Sequence, residues 1–486
     1  MSHKTALLLT FFCFWLTLKS PAQDKWDLKR CVQYAVTNNI SVRQADIDAR
    51  TANLTYNQSK AAQFGQLNFA TQLGANFGRS IDPTTNLFTT NQSLYQGISL
   101  QGGANLFNWF SMKRAVESNK YYYDAYVERI DKMRSDVTLN VAASYLQALL
   151  ARGQVFLAVT KLDLTRDQLT NTRKLVDAGS VPELNAAELE AQFATDTSSL
   201  IAAEQTYQTN LLQLKALLSL DAAVAFELDT PAVESIPVEP ISELQPDLVY
   251  SLAEKSFPQQ KMDDLLIHSA AKSVQSIKGQ LYPTLSVYGS LGNNFANEIR
   301  QTIVTPGPFA ASGLYADNPI LNQQYTVYNP TFVTSHESQP VGDIFKGYWT
   351  QLNDNFRQQI GLQLSIPIFN GNQVRTNYEK AKLNVKTANL TKENDLLTLK
   401  NNVYTAYYNA VSYLQKFEAG KKAVSTAERS FDLATKRYNI GLLNTIDYLT
   451  NQNNLFTARI NQLVAQYNYV FSMKVLEYYK GMGVKL

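Results

Sequence analysis

Residues 98–108 read ISLQGGANLFN and residues 360–370 read IGLQLSIPIFN, five identities in eleven positions at an offset of 262. The register then holds without a gap. Asn140, Val141, Tyr145 and Ala148 fall on Asn402, Val403, Tyr407 and Ala410, and Lys174 and Gly179 fall on Lys436 and Gly441. Upstream the offset is 218, so that Ala35, Ala52, Lys60, Leu67, Leu73 and Gly74 fall on Ala253, Ala270, Lys278, Leu285, Leu291 and Gly292. The offsets differ by 262 − 218 = 44 residues, which is extra length between the strand-like segments of the second copy. Copies of about 200 residues are far longer than the units of a solenoid, so the pattern reads as two tandem structural repeats of a half-structure. The repeats are 23–218 and 248–486, joined by a linker at 219–247 that holds Pro231, Pro237, Pro240 and Pro246.

The quoted stretches alternate with period 2, the signature of a strand with two unlike faces. In QIGLQLSIPIF (359–369), Ile360, Leu362, Leu364, Ile366 and Ile368 share one side, and Gln359, Gly361, Gln363 and Ser365 share the other. Leu67, Phe69, Leu73 and Phe77 alternate likewise with Asn68, Gln72 and Asn76, and Ile98, Leu100, Ala104 and Leu106 repeat the scheme more weakly. Strands are expected at about 66–77, 96–107, 281–292 and 358–369, each close to the length of a tilted transmembrane β-strand. The aliphatic side of the last, Ile360 to Ile368, is the expected lipid-facing strand, and the amide side suits a wet lumen. A half-buried sheet packed on helices in a soluble protein is the competing reading. Four strands cannot close a barrel, because bacterial single-chain barrels begin at about eight. If they cross a membrane, several chains must pool them. Long polar connections, 78–94 and about 293–351, lie between the strands of each pair.

Elsewhere the period changes to three-and-four steps. Val403, Tyr407, Ala410, Leu414 and Phe417 carry one stripe, and Phe456, Ile460, Leu463, Tyr467 and Val470 another, the seam spacing of coiled coils. Neither 108–178 nor 370–439 contains proline. Helices of that length reach on the order of 100 Å. Ordinary bundle packing would give the same stripes in any single helix.

Of 486 residues 45% are hydrophobic and only 17% charged, against about 25% charged in ordinary soluble domains. The 44 basic and 41 acidic residues leave +3, too little field to favour nucleic acid. Residues 1–22 read as an export signal peptide, with His3 and Lys4 ahead of the apolar run Ala6–Leu18 and small residues before Gln23; a membrane anchor is the alternative, but the run is short for a span. No later stretch has 18 consecutive apolar residues, so any span of the mature chain must be β. His3, His268, His336, Cys13 and Cys31 are the whole stock of histidine and cysteine. They make no zinc set and no nucleophile triad, and nucleotide and HExxH motifs are missing. Glu188 and Glu190 lie on different sides of a helix and read as a solvated face. No enzyme, cofactor or metal is expected.

Taken together, YPTLSVYG (282–289), LSIPIFNG (364–371) and the tips RKLVDAGSVPELNAAELEAQ (173–192) and TKRYNIGLLNTIDYLTNQ (435–452) resemble the TolC family of outer-membrane efflux proteins. The resemblance covers the whole mature chain. It implies an α+β membrane protein: a homotrimer whose 12-stranded β-barrel, four strands per chain, is continued by a long α-helical coiled-coil periplasmic tunnel. It implies an exit duct in the outer membrane of a Gram-negative cell, for a tripartite efflux pump or a type I secretion system. The partners would be outer-membrane lipid, a periplasmic adaptor (membrane fusion) protein and an inner-membrane transporter of RND, ABC or MFS type, which selects the cargo. Gly179 and Gly441 would form the helix-tip turns and adaptor contact. By the same resemblance Asp447, Tyr438 and Asn185 stand where the family's periplasmic aperture and gate residues are expected. The pattern departs at Leu443, where a gate arginine would stand, at Thr450, which replaces a ring acid, and at Asn185, which replaces the first tip's acid. A helix-start role, favoured by the helix dipole, competes for Asp447. An exported trimeric coiled-coil adhesin or scaffold with a β head is the alternative for the whole chain.

Overall fold

Asp27 accepts a hydrogen bond from the Arg30 backbone N–H at 2.7 Å, the N-cap that starts the first helix. A computed structural model describes residues 25–81, 86, 88–89, 93–230, 233 and 236–481; the expected signal peptide lies outside the described residues. In chain order the principal elements are α1 (Leu28–Asn38), α2 (Ile40–Ala61), β1 (Gln66–Asn76), β2 (Ser93–Phe107), α3 (Ser111–Asp177) and α4 (Glu183–Leu218). Then follow α5 (Pro246–Ser256), α6 (Pro258–Gly279), β3 (Thr284–Glu298), β4 (Arg300–Pro306), β5 (Ala310–Asn318), β6 (Gln323–Asn329) and β7 (Phe332–Ser338). The chain closes with β8 (Arg357–Ser365), α7 (Gln373–Asn439) and α8 (Thr445–Tyr479). The two proline-free stretches are the 67-residue helices α3 and α7. The helix bounds keep both sequence offsets, 218 from α1 and α2 to α5 and α6, and 262 from α3 to α7.

The described residues fall into two compact units, one drawn from Met1–Tyr56, Ser118–Ala271 and Lys382–Leu486, the other from Asn57–Glu117 and Lys272–Ala381. The first is helical. Its main core joins Leu28, Cys31 and Ala35 of α1 to Val141, Tyr145 and Leu149 of α3 and to Leu211, Leu214 and Leu218 of α4. A second core joins Val249 and Ala253 of α5 to Leu399, Val403 and Ala410 of α7 and to Met473 and Leu476 of α8. Among its described residues the expected linker is mostly free of regular structure, but it is pinned. Leu228, Ile236 and Leu244 are buried. The Tyr145 hydroxyl donates to the Asp229 carbonyl at 2.8 Å. A buried ion pair, Lys474 to Glu477 at 2.8 Å, receives the Glu239 N–H.

Within this unit the helices α2, α3, α6 and α7 lie side by side in that order. Arg129 meets Asp48 and Tyr123 stacks on Tyr56; Ser118 exchanges hydroxyl-to-carbonyl bonds with Ser269; Gln259 donates to Asp395 at 2.8 Å and Lys392 pairs with Asp264. Each pairing runs antiparallel. Small serines at the α3–α6 contact let backbones approach while their hydroxyls bond across.

The second unit holds a four-stranded antiparallel sheet in the order β1-β2-β3-β8. Three expectations are corrected here. The last strand ends at Ser365, so Ile366 and Ile368 lie beyond it; Pro367 has no N–H for the ladder. A bulge between Asn105 and Phe107 puts Phe107, not Leu106, opposite Leu285. The segment 293–351 is not an open loop. It extends β3 to Glu298, then forms the antiparallel ribbons β4–β7 and β5–β6 and two short helices, Val341–Ile344 and Tyr348–Asp354. Its Thr, Val and Tyr favour strands, and Pro306, Pro319, Pro330 and Pro340 sit at strand ends and turns. Phe295 is buried against Phe345 and Tyr348 beneath the short helices.

Asp263 is buried beside α7, where Gln259 donates both to it and to Asp395. Burial first, and the Asp395 charge second, push its carboxyl up to about 6. The folded chain therefore keeps this proton to a higher pH than the unfolded chain, and stability falls as pH rises through that window. Asp263→Asn is expected to raise the melting temperature at pH 7 by a few degrees and to flatten its dependence between about pH 4 and 7, read by circular dichroism. A lower melting temperature at pH 7 would contradict this.

Candidate functional site

The ladder registers decide which side chains share a sheet face. Leu67 stands opposite Gly102, Gly102 opposite Gly289, and Gly289 opposite Ile360; Ala104 stands opposite Val287 and Val287 opposite Leu362. Phe69, Leu100 and Leu291 form a third row, and Leu285 with Leu364 a fourth. This face is apolar and open: Leu67 is 72% exposed, Ile360 84%, Leu362 67% and Leu364 63%. An apolar patch this continuous marks a surface made for something other than water. The other face carries Gln66, Asn68, Gln72, Gln101, Asn105, Ser286, Ser290, Gln359 and Gln363. Tyr95 and Tyr288 lie across it over Gly74 and Gly361, where an added Cβ would stand under 3 Å from a ring. Glycine is required there because the aromatic of the neighbouring strand occupies the space. β1 and β8 each have one neighbour, so both sheet edges are unpaired.

The helix tips lie in the helical unit. Each of the two turns is built the same way. Gly179 (φ +70°) donates to Val176 O and Ser180 to Leu175 O, both at 2.8 Å; Gly441 (φ +76°) donates to Tyr438 O at 3.0 Å and Leu442 to Arg437 O at 2.8 Å. This is the Schellman closure, in which a left-handed residue satisfies the last helix carbonyls.

Tyr438 stacks on buried Tyr448, with ring centroids 4.7 Å apart, and its hydroxyl lies 3.5 Å from Thr172 Oγ1 and 3.4 Å from Thr445 Oγ1. Burial pushes the Tyr448 hydroxyl up to about 12. Asp447 is exposed in the first turn of α8, where the Asn444 side chain accepts from its N–H at 2.7 Å and donates to its carboxylate at 3.0 Å. This is a capping arrangement. Asn185 is half-buried in the first turn of α4, and Thr450 donates back to Ile446 O. Among the described residues, Asp447, Tyr438 and Asn185 are not joined into one hydrogen-bonded cluster.

What sequence reading missed is a buried polar knot between helices. Asp196 of α4 accepts from Thr165 at 2.7 Å and Gln192 at 2.7 Å and pairs with Lys161 at 2.9 Å, while Gln452 of α8 donates to Thr165 at 3.0 Å. The signal was present. Leu162, Thr165, Leu169 and Thr172 follow three-and-four steps, so two threonines interrupt a buried seam. Among the described residues no group of His, Cys, Asp and Glu is placed to hold a metal ion, and no helix is long and apolar enough to cross a membrane.

A sheet with one amide face and one open apolar face, together with two 67-residue helices that each end in a glycine turn, matches the fold of solved outer-membrane channels. The outer membrane efflux protein family matches residues 31–219 and 347–477, and the chain belongs to that family, as the strand and tip motifs suggested. It is 21% identical over 355 residues to the alkaline protease secretion protein AprF of Pseudomonas aeruginosa, covering 73% of this chain but only 63% of AprF. It is 19% identical over 459 residues to the toxin and drug export protein A of Aggregatibacter actinomycetemcomitans, covering 94% and 85% of the two chains. The solved outer-membrane channel OprN shares the fold with a TM-score of 0.70 at 15% identity, over 94% of this chain and 90% of that one.

Gly441→Ala is expected to cost about 1 kcal/mol locally, because a Cβ strains the left-handed backbone although nothing stands within 4 Å of it. Hydrogen exchange at the Leu442 amide should speed up while the α3 core amides stay protected. Unchanged exchange at Leu442 would show the turn to be unstrained.

Proposed function

We propose that this protein is the outer-membrane exit duct of a tripartite efflux pump or a type I secretion system, working passively. The observation that carries the proposal is the sheet: one face apolar and exposed, the other lined with amides, both edges unpaired. Three copies pool their four strands into a 12-stranded barrel, with Ile360, Leu362 and Leu364 toward lipid and the amides toward a wet lumen. Closure satisfies the edge N–H and C=O groups that hydrocarbon cannot. The helices continue the barrel as a tunnel into the periplasm. The two halves arose as tandem repeats, which matched helix bounds support.

An adaptor protein engages the helix tips at Gly179 and Gly441, and an inner-membrane transporter supplies energy and selects the cargo. The names of the relatives, one a protease secretion protein and one a toxin and drug exporter, support both protein and small-molecule cargo. The duct itself needs no catalytic group or cofactor. A coiled-coil adhesin would have no use for an apolar sheet face bounded by open edges.

At the periplasmic end, three Asp447 carboxylates form the charged ring of the aperture, and the Tyr438–Thr172 contact is the latch. Because Asn444 caps the helix through the Asp447 N–H, Asp447→Asn removes charge without removing the cap. In planar bilayers the wild-type protein is expected to give small, stable, cation-selective currents blocked by multivalent cations, and Asp447→Asn to lose much of both selectivity and block. Unchanged selectivity would leave Asp447 as a helix-cap residue only. A folded trimer that never inserts would overturn the duct in favour of the adhesin or scaffold.

A further inference from the structure

The four passages between sheet and helix are built alike. Lys60 and Phe64 precede β1, and 218 residues further on Lys278 and Tyr282 precede β3. Phe107 ends β2 with Lys113 following in the first turn of α3, and 262 residues further on Phe369 and Arg375 follow β8. These are the two offsets of the repeat, so each half-structure supplies the same combination twice: a ring next to the strand and a cation in the adjoining helix turn. All of these side chains are exposed, Phe64 at 87% and Phe369 at 83%. All lie in the second unit, with the sheet.

The rings belong to the apolar side of that sheet. Phe107 stands opposite Leu285 and Leu285 opposite Leu364, so Phe107 extends the fourth apolar row. Trp109 packs on Phe107 with centroids 5.4 Å apart and on Tyr282 at 4.9 Å, and Phe110 meets Phe107 edge-on at 5.9 Å. Phe64 borders a shallow groove floored by Gly102 and Gly289, together with Leu67, Leu100 and Ile360. Arg375 shares a cleft with Leu281, Ile368 and Phe369, which puts one of the four cations beside its ring.

The backbone is strained to hold two of these rings. Trp109 and Phe110 are successive bulky residues in the left-handed region, at φ +51° and +60°, where a side chain crowds the following carbonyl. The second repeat makes the same turn with Gly371 and Asn372, at φ +63° and +60°, which adopt it readily. Gly–Asn would serve the fold equally well in the first repeat. Rings that rest on apolar side chains yet stay 45% and 59% exposed suit the boundary between acyl chains and headgroups.

Charge marks the same level. Glu117 is held by both Arg114 at 2.8 Å and Lys272 at 2.6 Å, a cluster with one positive charge to spare. Lys113, Lys278 and Arg375 have no acidic partner among the described residues. Beyond the other end of the sheet the balance reverses, and acids outnumber bases over 298–357. The excess of cations is therefore confined to the end where the rings are.

Building on the outer-membrane reading above, we propose that this level of the protein is a binding site for anionic phospholipid of the periplasmic leaflet. The rings lie among the upper acyl chains, and Lys60, Lys113, Lys278 and Arg375 bind headgroup phosphate. Lys60 and Lys278 stand about one helical turn, on the order of 5 Å, beyond their rings, and their flexible stems extend the reach from acyl chain to phosphate. A zwitterionic headgroup balances its phosphate with an ammonium, so the bases favour an anionic one.

The full-length protein, reconstituted in phosphatidylcholine vesicles with spin-labelled phosphatidylglycerol or spin-labelled phosphatidylcholine, tests the site through the motionally restricted fraction of each label in electron paramagnetic resonance. The wild type is expected to prefer the anionic label on the order of three-fold at low salt and to lose much of that preference at high salt. Lys60→Gln/Lys113→Gln/Lys278→Gln/Arg375→Gln should abolish it with the circular dichroism spectrum unchanged. Independently of that variant, phosphatidylcholine brominated next to the headgroup should quench Trp109, read as the difference between wild type and Trp109→Phe, more than the same lipid brominated at its chain ends. Equal restriction of the two labels by the wild type would overturn the site and leave the duct standing. A preference that survives high salt or the four substitutions would overturn its assignment to these bases, and stronger quenching from the chain ends would overturn the placement of the rings. Absence of a restricted fraction for either label would overturn the outer-membrane reading itself.

Discussion

A backbone N–H or C=O left unpaired in hydrocarbon costs several kcal/mol, and β1 and β8 each expose a row of them on their outer edges. The same sheet carries an apolar face that water cannot stabilise. Neither fault can be cured by adding residues to the side chains' own strands; each needs a neighbour and a different solvent. The rest of the chain follows from that. Helices satisfy their backbone groups internally and need no edge partners, so long proline-free helices can extend where a sheet cannot.

The helical unit is held together in two different ways. Near α1 and α5 the cores are apolar, built on Leu28, Leu214, Val403 and Met473. Nearer the tips the contacts become polar: Thr165 and Asp196 are buried in a network with Gln452 and Lys161. Buried polar partners of this kind specify one alignment, since a slip leaves a charge unpaired. The knot joins α3, α4 and α8 but includes no residue of α7. The final turn of α7 is held instead by the stacking of Tyr438 on Tyr448 and by long hydroxyl contacts, which are easier to break.

Much of this was legible in the residues. Period-2 alternation located all four sheet strands, and the proline-free runs predicted the long helices almost to their ends. Strand ends were not legible from alternation alone, because Ile366 and Ile368 continue the pattern while Pro367 interrupts the ladder. The bulge at Asn105 likewise keeps the composition and shifts the register. Residues 293–351 were read as loop from their Asn, Thr, Tyr and Pro content, but the prolines punctuate ribbons, and Thr and Tyr, with Val, favour the strands between them. At the tips, the glycines were readable because only a left-handed turn requires them. Asp447, Tyr438 and Asn185 were suggested by resemblance, and their separate hydrogen-bond partners depend on helix rotation that spacing does not encode. The Thr165–Asp196 knot was hidden because its members lie far apart in the chain, Thr165 and Gln452 by 287 residues.

The central pairing of the sheet joins Leu100 to Leu291 and Ser93 to Glu298, so β2 must wait for β3 while α3 to α6 emerge between them. Loop closure over such a distance is slow. During that interval the apolar strand Leu67–Leu73 has been made, its partner β2 offers only one edge, and β8 does not yet exist. A chain built in this order carries an apolar, half-paired sheet for a long interval, and the length of that interval is set by connectivity more than by the stability of the finished fold.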